Sequence, residues 1–193
     1  GIDSHGIGRL KMYYDRIKAG IQYPVTNIKF IKETETTATI DGGHGMGQVI
    51  AYKAMSIAIE KAKNYGLGST AVRNSTHYGI AGYYPLMAIK QGMIGLSVTN
   101  ARPSIPPTFG IEPMYGTNPL TIGLPTDESF PFLIDCATSI SQRGKIELLD
   151  RAEKPIPEGL AIDSEGKPHT DSKKLLKDLV NGTAALLPLG GQG

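Results

Sequence analysis

Apolar and polar residues follow two different periods along the chain, and each period predicts a different element. Near the start, apolar residues lie three or four positions apart, which places them on one face of a helix. They are Ile7, Leu10, Tyr14 and Ile17. This pattern predicts a first helix that is capped by Asp3 or Ser4 and runs to about Lys18.

A strict alternation of apolar and polar residues follows and predicts two β-strands. Residues 28–32 and 36–40 alternate in this way and are rich in Thr and Ile, so they are expected to pair as a hairpin. The glycine-rich turn after them leads into a helix predicted from about Gly47 to Asn64. Its core-facing residues are predicted to be Val49, Ile50, Ala54, Ile57, Ala58 and Ala62.

Helices and strands continue to alternate through the middle of the chain. Two more helices are predicted, over residues 80–90 and 141–150. The further predicted strands are 68–72, 94–98, 120–124 and 132–134. Residues 100–119 carry five prolines and predict a long ordered loop, and a loop of that length in a compact domain is usually functional. We therefore expect an α/β or mixed α+β fold in which helices flank a mixed sheet.

Charge and composition exclude several classes of protein. Lys plus Arg number 20 and Asp plus Glu number 18, so the net charge of +2 gives no electrostatic footprint for nucleic acid or an anionic membrane. The sequence has no run of about 18 apolar residues, so it predicts no membrane span. The single cysteine, Cys136, cannot form an internal disulfide, and the first residues do not form a signal peptide. We therefore expect a cytoplasmic protein, clipped at its start because it lacks an initiator methionine.

The common catalytic and cofactor motifs are missing from the sequence. It has no HExxH or CxxC spacing for a metal ion, no Walker loop for a nucleotide phosphate and no GxSxG hydrolase turn. A GxGxxG dinucleotide motif is also missing, since the glycines of residues 43–47 have another spacing. The sequence therefore predicts no metal site and gives no support to a Rossmann-type or hydrolase site.

Histidine and arginine side chains near predicted helix starts are the first remaining candidates for chemistry. His5 and Arg9 are four residues apart, which predicts that they share a helix face. Such a pair suits a small 2-oxo or 2-hydroxy acid, because the imidazole can move a proton and the guanidinium can bind a carboxylate. A solvated pair on the protein surface is the alternative.

Three other histidines and one carboxylate complete the candidates. His77 lies in a polar turn between a predicted strand and a predicted helix, where α/β folds place functional groups; the alternative is a ring that only satisfies a loop carbonyl. We expect His44, among glycines, to be a turn residue and His169 to be solvated. Asp135 ends an apolar strand and is either a helix cap or the partner of a catalytic histidine.

Four stretches of the sequence resemble the malate/L-lactate dehydrogenase family, in the same order and at the same spacing. They are GIDSHG at residues 1–6 with Arg9, RNSTHYG at 73–79, GTNPL at 116–120 and IDCAT at 134–138. The resemblance runs over nearly all 193 residues. It implies the family's own non-Rossmann NAD(P)-binding fold, which accounts for the missing GxGxxG motif.

The resemblance also implies a reaction and roles for particular residues. The reaction is hydride transfer between NAD or NADP and a small 2-hydroxy or 2-oxo acid of the malate, lactate, sulfolactate or ureidoglycolate type. His5 and His77 would donate or accept the proton, with Asp135 as a further catalytic candidate. Ser4 and Arg9 would bind the substrate, Arg9 through the substrate carboxylate. The residues implied for the cofactor are Thr117, Asn118, Pro119, Asp135, Cys136, Ala137 and Thr138.

Residues 1–193 are expected to form one family domain that is incomplete at both ends, since family chains are typically longer. Its dinucleotide-binding part is expected within about residues 67–150, and the enzyme is expected to be a homodimer. Residues 155–171 predict an irregular surface segment, and the chain ends in a glycine-rich loop. Two alternatives stay open: reduction of a cyclic imine by NAD(P)H, and an inactive fragment that only packs against a partner chain.

Overall fold

Helices and strands alternate through most of the chain, so the fold is mixed α/β, as the sequence predicts. The computed structural model describes residues 4–191. These residues form two units. The first unit contains the residues up to 97 together with 121–134, and the second contains 98–120 together with the residues from 135 onward. Within residues 4–191, no helix is long and apolar enough to cross a membrane.

The first helix begins later than the apolar pattern predicts. A short 3-10 turn, Ile7–Arg9, leads into α1, which spans Leu10–Lys18. Glycine has a low helix propensity, and Gly6 and Gly8 lie in the stretch that was expected to form the first turn. The predicted cap is therefore wrong for Ser4, and Asp3 lies outside the described residues. The apolar face is largely exposed, with Ile7 86% exposed and Leu10 and Tyr14 each 62% exposed.

The predicted hairpin is confirmed and belongs to a three-stranded sheet of order β1-β2-β3. Strands β1 (Lys29–Glu33) and β2 (Thr37–Asp41) are antiparallel, and β3 (Ser69–Arg73) is parallel to β2. A parallel pair requires a crossover connection, which α2 (Gly47–Tyr65) provides. The helix and the sheet bury a small core of Ile40, Ile50 and Ala54.

One position of the α2 core face was predicted wrongly. Val49 is 52% exposed, whereas Ile59, which was not predicted, is buried. The predicted residues Ile50 and Ala54 are buried, so the helical period is correct and only the edge of the apolar stripe is displaced.

A shorter helix and a second three-stranded sheet follow. Helix α3 spans Tyr83–Ile89 and begins after the predicted position 80, because residues 79–82 still form turn structure. The sheet has the order β4-β5-β6. Its strands are Gly95–Val98, Leu120–Leu124 and Phe132–Cys136. Residues 100–119 form the predicted long loop, in which an isolated bridge joins Ile105 to Tyr115.

The last part of the chain differs most from the prediction. It contains α4 (Arg143–Arg151), β7 (Ala161–Asp163), α5 (Ser172–Asn181) and β8 (Ala184–Leu186), and β7 pairs antiparallel with β8. The irregular surface segment predicted over 155–171 is therefore wrong in part: β7 lies within it and Ile156, Ala161, Ile162 and His169 are buried, whereas the rest of the segment forms neither helix nor strand. The core of this unit is formed by Ile146, Ile156, Ala161, Leu175, Leu179, Ala184 and Leu186.

Candidate functional site

His77 lies in the loop between β3 and α3, and that loop is fixed to the start of α2. The hydroxyl of Thr76 accepts a hydrogen bond from the Gly47 backbone N–H at 3.0 Å and donates one to the Gly45 carbonyl at 2.7 Å. A Cβ atom at Gly47 would collide with the carbonyl oxygens of Thr76 and His77, so this close approach requires glycine. The position of His77 is therefore set by backbone packing on both sides.

The first residues of the RNSTHYG stretch are held by a carboxylate at the end of β2. Asp41 accepts hydrogen bonds from Arg73 Nε at 2.8 Å, from Asn74 Nδ2 at 2.9 Å and from the Gly43 backbone N–H at 2.9 Å. The Gly43 bond, ahead of Arg73 and Asn74, holds the pKa of the Asp41 carboxyl below its usual value. Asn74 has a φ of 52°, the left-handed conformation in which asparagine is enriched.

The structure brings the two predicted histidines together within the first unit. The rings of His5 and His77 stack with centroids 5.6 Å apart and planes 16° from parallel. Ser4 Oγ lies 2.8 Å from His5 Nδ1, and Tyr13 Oη lies 2.7 Å from His77 Nδ1. Each imidazole therefore has one nitrogen in a hydrogen bond to a neighbouring hydroxyl.

Arg9 belongs to the same cluster, although not in the predicted way. Its Nε donates a 2.7 Å hydrogen bond to the Ser4 carbonyl. His5 lies before the 3-10 turn and α1 begins at Leu10, so the predicted shared helix face of His5 and Arg9 is wrong. The turn, and not helical spacing, places the guanidinium beside the Ser4–His5 segment.

The charges around His77 favour its neutral form. Burial is the largest effect and, with the positive charges of His5, Arg9 and Arg16, it lowers the pKa of His77 from 6.5 to about 4. Burial also raises the pKa of Tyr13. The cluster therefore presents a neutral, half-buried imidazole in positively charged surroundings, a combination that suits an anionic substrate.

The residues implied for the cofactor lie close together within the second unit. The backbone N–H and the hydroxyl of Thr138 both approach the Thr117 carbonyl, at 2.8 and 3.2 Å. Asn118 Oδ1 accepts from the Ala101 backbone N–H at 2.8 Å, and Cys136 Sγ is 3.9 Å from the Leu120 carbonyl. Segments 117–119 and 135–138, which are far apart in sequence, are thus neighbours.

Asp135 is the fourth residue of β6 and is exposed. The helix-cap alternative for it is wrong, because the next helix along the chain is α4, whose N-cap is Gln142. The structure places Asp135 in the group of residues implied for the cofactor. Its role as the partner of a catalytic histidine stays a prediction.

The other two histidines have different outcomes. His44 is exposed in a turn with a φ of 55°, so the turn prediction is confirmed. His169 was predicted to be solvated and is instead only 7% exposed, with its Nε2 3.0 Å from Asp178 Oδ2. The backbone N–H of His169 donates a hydrogen bond to the carbonyl of Ala161 in β7. This bond fixes the backbone of His169 beside the small β7–β8 sheet, so that its ring lies in the core.

Sequence reasoning missed the residues that hold the predicted histidines. The Tyr13 hydroxyl contacts His77, and the Thr76 hydroxyl holds the loop of His77. Tyr13 and Tyr14 are adjacent tyrosines on one helix, and nothing in the sequence separates the one that points to His77 from the one that is exposed. Thr76 lies within the RNSTHYG stretch, which is the one signal that points to it.

Comparisons with known proteins give a family and solved relatives to which the chain is similar. The sequence profile of the family described as malate/L-lactate dehydrogenase matches residues 1–192. A malate dehydrogenase from Pyrococcus abyssi is 50% identical over 193 residues, which is 100% of this chain and 52% of the relative. An L-sulfolactate dehydrogenase from Methanocaldococcus jannaschii is 46% identical over 191 residues, which is 99% of this chain and 54% of the relative.

A solved structure gives the same result. The crystal structure of malate dehydrogenase from Entamoeba histolytica superposes with a TM-score of 0.95 at 50% identity, and the match covers 99% of this chain and 53% of that chain. The chain therefore spans about half the length of the curated relatives it matches.

Proposed function

Since this chain belongs to the malate/L-lactate dehydrogenase family, we propose that it carries the proton-transfer group of an NAD(P)-dependent oxidoreductase. The proposed reaction interconverts a small 2-hydroxy acid and the matching 2-oxo acid. The observation that carries the proposal is the stacked pair of His5 and His77 beside Arg9. These are residues that the family resemblance implies, and His77 lies far from His5 and Arg9 in sequence.

The first unit supplies groups for both ends of such a substrate. An imidazole can exchange a proton with the oxygen on C2 and, because His77 is neutral at pH 7, it does not start the reaction as a cation. The Arg9 guanidinium can bind a carboxylate, and the Ser4 hydroxyl can hydrogen-bond a substrate oxygen. Positive charge around the cluster favours binding of the carboxylate form.

The second unit offers groups that fit a dinucleotide. Asp135 and Thr138 are exposed at the end of β6, and Thr117 and Asn118 are half-buried beside them. Carboxylate, amide and hydroxyl groups at a strand end match the hydroxyl and amide groups of a nicotinamide nucleotide. Bound NAD or NADP would supply the hydride donor or acceptor. Cys136 and the buried Ala137 would contribute contact surface, and Pro119 would shape the loop.

The substrate proposal rests on the kinds of relative that the chain resembles. Those relatives are named malate and sulfolactate dehydrogenases, so a 2-hydroxy acid with a second acidic group is the first substrate to test. Reduction of a cyclic imine is not favoured by these relatives.

The test measures NAD(P)H absorbance while the purified full-length protein reacts with malate, lactate, sulfolactate or ureidoglycolate and either nucleotide. We expect turnover of at least one of these acids. His77→Ala or His5→Ala should lower turnover by about a hundredfold or more, the usual contribution of acid–base catalysis. His44→Ala, a change in an exposed turn, should leave turnover unchanged.

Two results would contradict the proposal. Near-native turnover in both histidine variants would remove the stacked pair from the chemistry. A folded protein that turns over none of the acids with either nucleotide would favour the alternative in which the chain only packs against a partner.

A further inference from the structure

Tyr13 contacts His77 through its hydroxyl and not through its ring face. Its Oη lies 2.7 Å from His77 Nδ1, whereas the two ring planes are tilted by 56° with centroids 5.7 Å apart. Tyr13 is half-buried on α1, and His77 lies 64 positions later in the chain. The contact is therefore a directed long-range hydrogen bond that joins α1 to the loop after β3.

A second group fixes the direction of that hydrogen bond. The backbone N–H of Gly79 also points to His77 Nδ1, with an N···N distance of 3.3 Å. A backbone N–H can only donate, so Nδ1 acts as an acceptor in this arrangement. The Tyr13 hydroxyl then donates to the same lone pair. In a neutral imidazole with an unprotonated Nδ1, the proton is on Nε2.

The Tyr13 hydroxyl could in principle deliver a proton to His77, but its electrostatics favour a holding role. Burial raises the pKa of Tyr13 more than the Gln48 side chain and the charges of Arg16 and Arg9 lower it. A phenol with a raised pKa keeps its proton at neutral pH, so it acts as a hydrogen-bond donor and not as an acid.

We propose that Tyr13 is a positioning residue that holds His77 in the tautomer with the proton on Nε2, so that the ring donates a hydrogen bond to the oxygen on C2 of the substrate and polarises it, while the proton itself is exchanged by His5, the other member of the stacked pair. This role rests on the proposed function, because it assigns a task to the same histidine. A second nitrogen held by a fixed partner is a general way of setting the tautomer of a catalytic imidazole.

The test compares Tyr13→Phe with the matched control Tyr14→Phe in the full-length protein. Both changes remove one phenol hydroxyl from α1, but Tyr14 is 62% exposed. The first readout is the 15N NMR spectrum of histidine-labelled protein without substrate, with the His77 signals assigned by their loss in His77→Ala. We expect the Nε2-protonated tautomer in the wild type and in Tyr14→Phe, and a mixture of tautomers in Tyr13→Phe.

The second readout is steady-state kinetics. Loss of one buried hydrogen bond should lower kcat by about tenfold in Tyr13→Phe, with KM for the acid changed by less than about threefold. If Tyr13→Phe does not fold, the tautomer of His77 in the wild type tests the proposal by itself.

Several outcomes separate this proposal from the proposed function. An Nδ1-protonated ring in the wild type would overturn the role of Tyr13, as would an unchanged tautomer and an unchanged kcat in Tyr13→Phe. If the spectra are as expected but the protein turns over no 2-hydroxy acid, the tautomer assignment is supported and the proposed function is overturned. If Tyr13→Phe and Tyr14→Phe change the tautomer and kcat equally, the Tyr13 hydroxyl has no specific role and the effect comes from the general packing of α1.

Discussion

His5 and His77 stack as a pair but have different surroundings. The pKa of His77 falls to about 4 because the ring is buried and because His5, Arg9 and Arg16 add positive charge. The hydroxyl of Tyr13 occupies its Nδ1, whereas the Ser4 hydroxyl lies next to Nδ1 of His5. The two rings are therefore not interchangeable, since each Nδ1 has a different hydroxyl partner.

The lowered pKa of His77 makes stability depend on pH. The unfolded chain binds a proton at this histidine below about pH 6.5, whereas the folded chain does so only below about pH 4. The contribution is therefore fully present above about pH 6.5 and is lost as the pH falls towards about 4. We expect urea denaturation to show a larger loss of stability across this window in the wild type than in His77→Gln.

His44→Gln is the matched control for that measurement, because it removes a histidine from an exposed turn. Its stability should change with pH as that of the wild type does, because the carboxylates that titrate in the same pH window are present in all three proteins. Parallel curves for the wild type and His77→Gln would show that the folded protein does not shift the pKa of His77.

At the scale of elements, the start of α2 and the loop of His77 act as one structure. The Thr76 hydroxyl is the link, since it bonds both the Gly47 N–H and the Gly45 carbonyl. Thr76→Val has nearly the same shape but leaves both backbone groups without this partner. We expect Thr76→Val to lower the free energy of unfolding by roughly 1–3 kcal/mol in urea denaturation.

Thr76→Ser keeps the hydroxyl and is the matched control, so it should lose much less stability than Thr76→Val. The valine variant should also change the NMR signals of His77, because its loop loses the attachment to α2. Equal stabilities of the valine and serine variants would mean that close packing around Gly47 alone fixes the loop.

The elements that could be predicted from sequence are those with a local period. Helix α2 has an apolar stripe long enough to be identified, and the hairpin of β1 and β2 has strict alternation. Strands β7 and β8 have only three residues each and are defined by pairing with one another, so no local period marks them. Helix α5 did leave a signal, because Asp171 caps its start and Gly182 ends it in the left-handed conformation.

The same distinction applies to the candidate site. His77 and Arg9 could be predicted because they lie in stretches that resemble a family, and the structure confirms that they are near one another. Tyr13 could not, because its contact with His77 depends on how α1 and the loop after β3 are placed in three dimensions. Proximity of side chains from separate elements is a tertiary property that one sequence does not display.

At the scale of the whole molecule, the candidate residues divide between the two units. His5, His77, Ser4 and Arg9 lie in the first, and the residues implied for the cofactor lie in the second. The expected single domain, the homodimer and the cytoplasmic location stay predictions. The chain matches about half the length of its relatives, so turnover and nucleotide binding are best measured in the full-length protein.

Several large apolar side chains of the first unit are exposed. They include Ile7 at 86%, Val25 at 70%, Ile21 at 63%, Leu10 and Tyr14 at 62%, and Phe30 at 50%. Exposed apolar side chains promote association, and β1, which carries Phe30, is an edge strand of its sheet. These surfaces predict how the 193-residue chain behaves when it is expressed alone.

We expect the isolated chain to elute above its monomer mass in light-scattering chromatography, to bind a dye specific for apolar surface and to bind NAD(P)H more weakly than the full-length protein. Phe30→Lys should reduce association, because it places a charge on the exposed edge strand, whereas Lys32→Arg on the same strand should not. A cooperatively folded monomer that binds no dye and binds NADH tightly would contradict this prediction. It would also mean that residues 1–193 contain the whole nucleotide site, since nothing outside them would then be needed for binding.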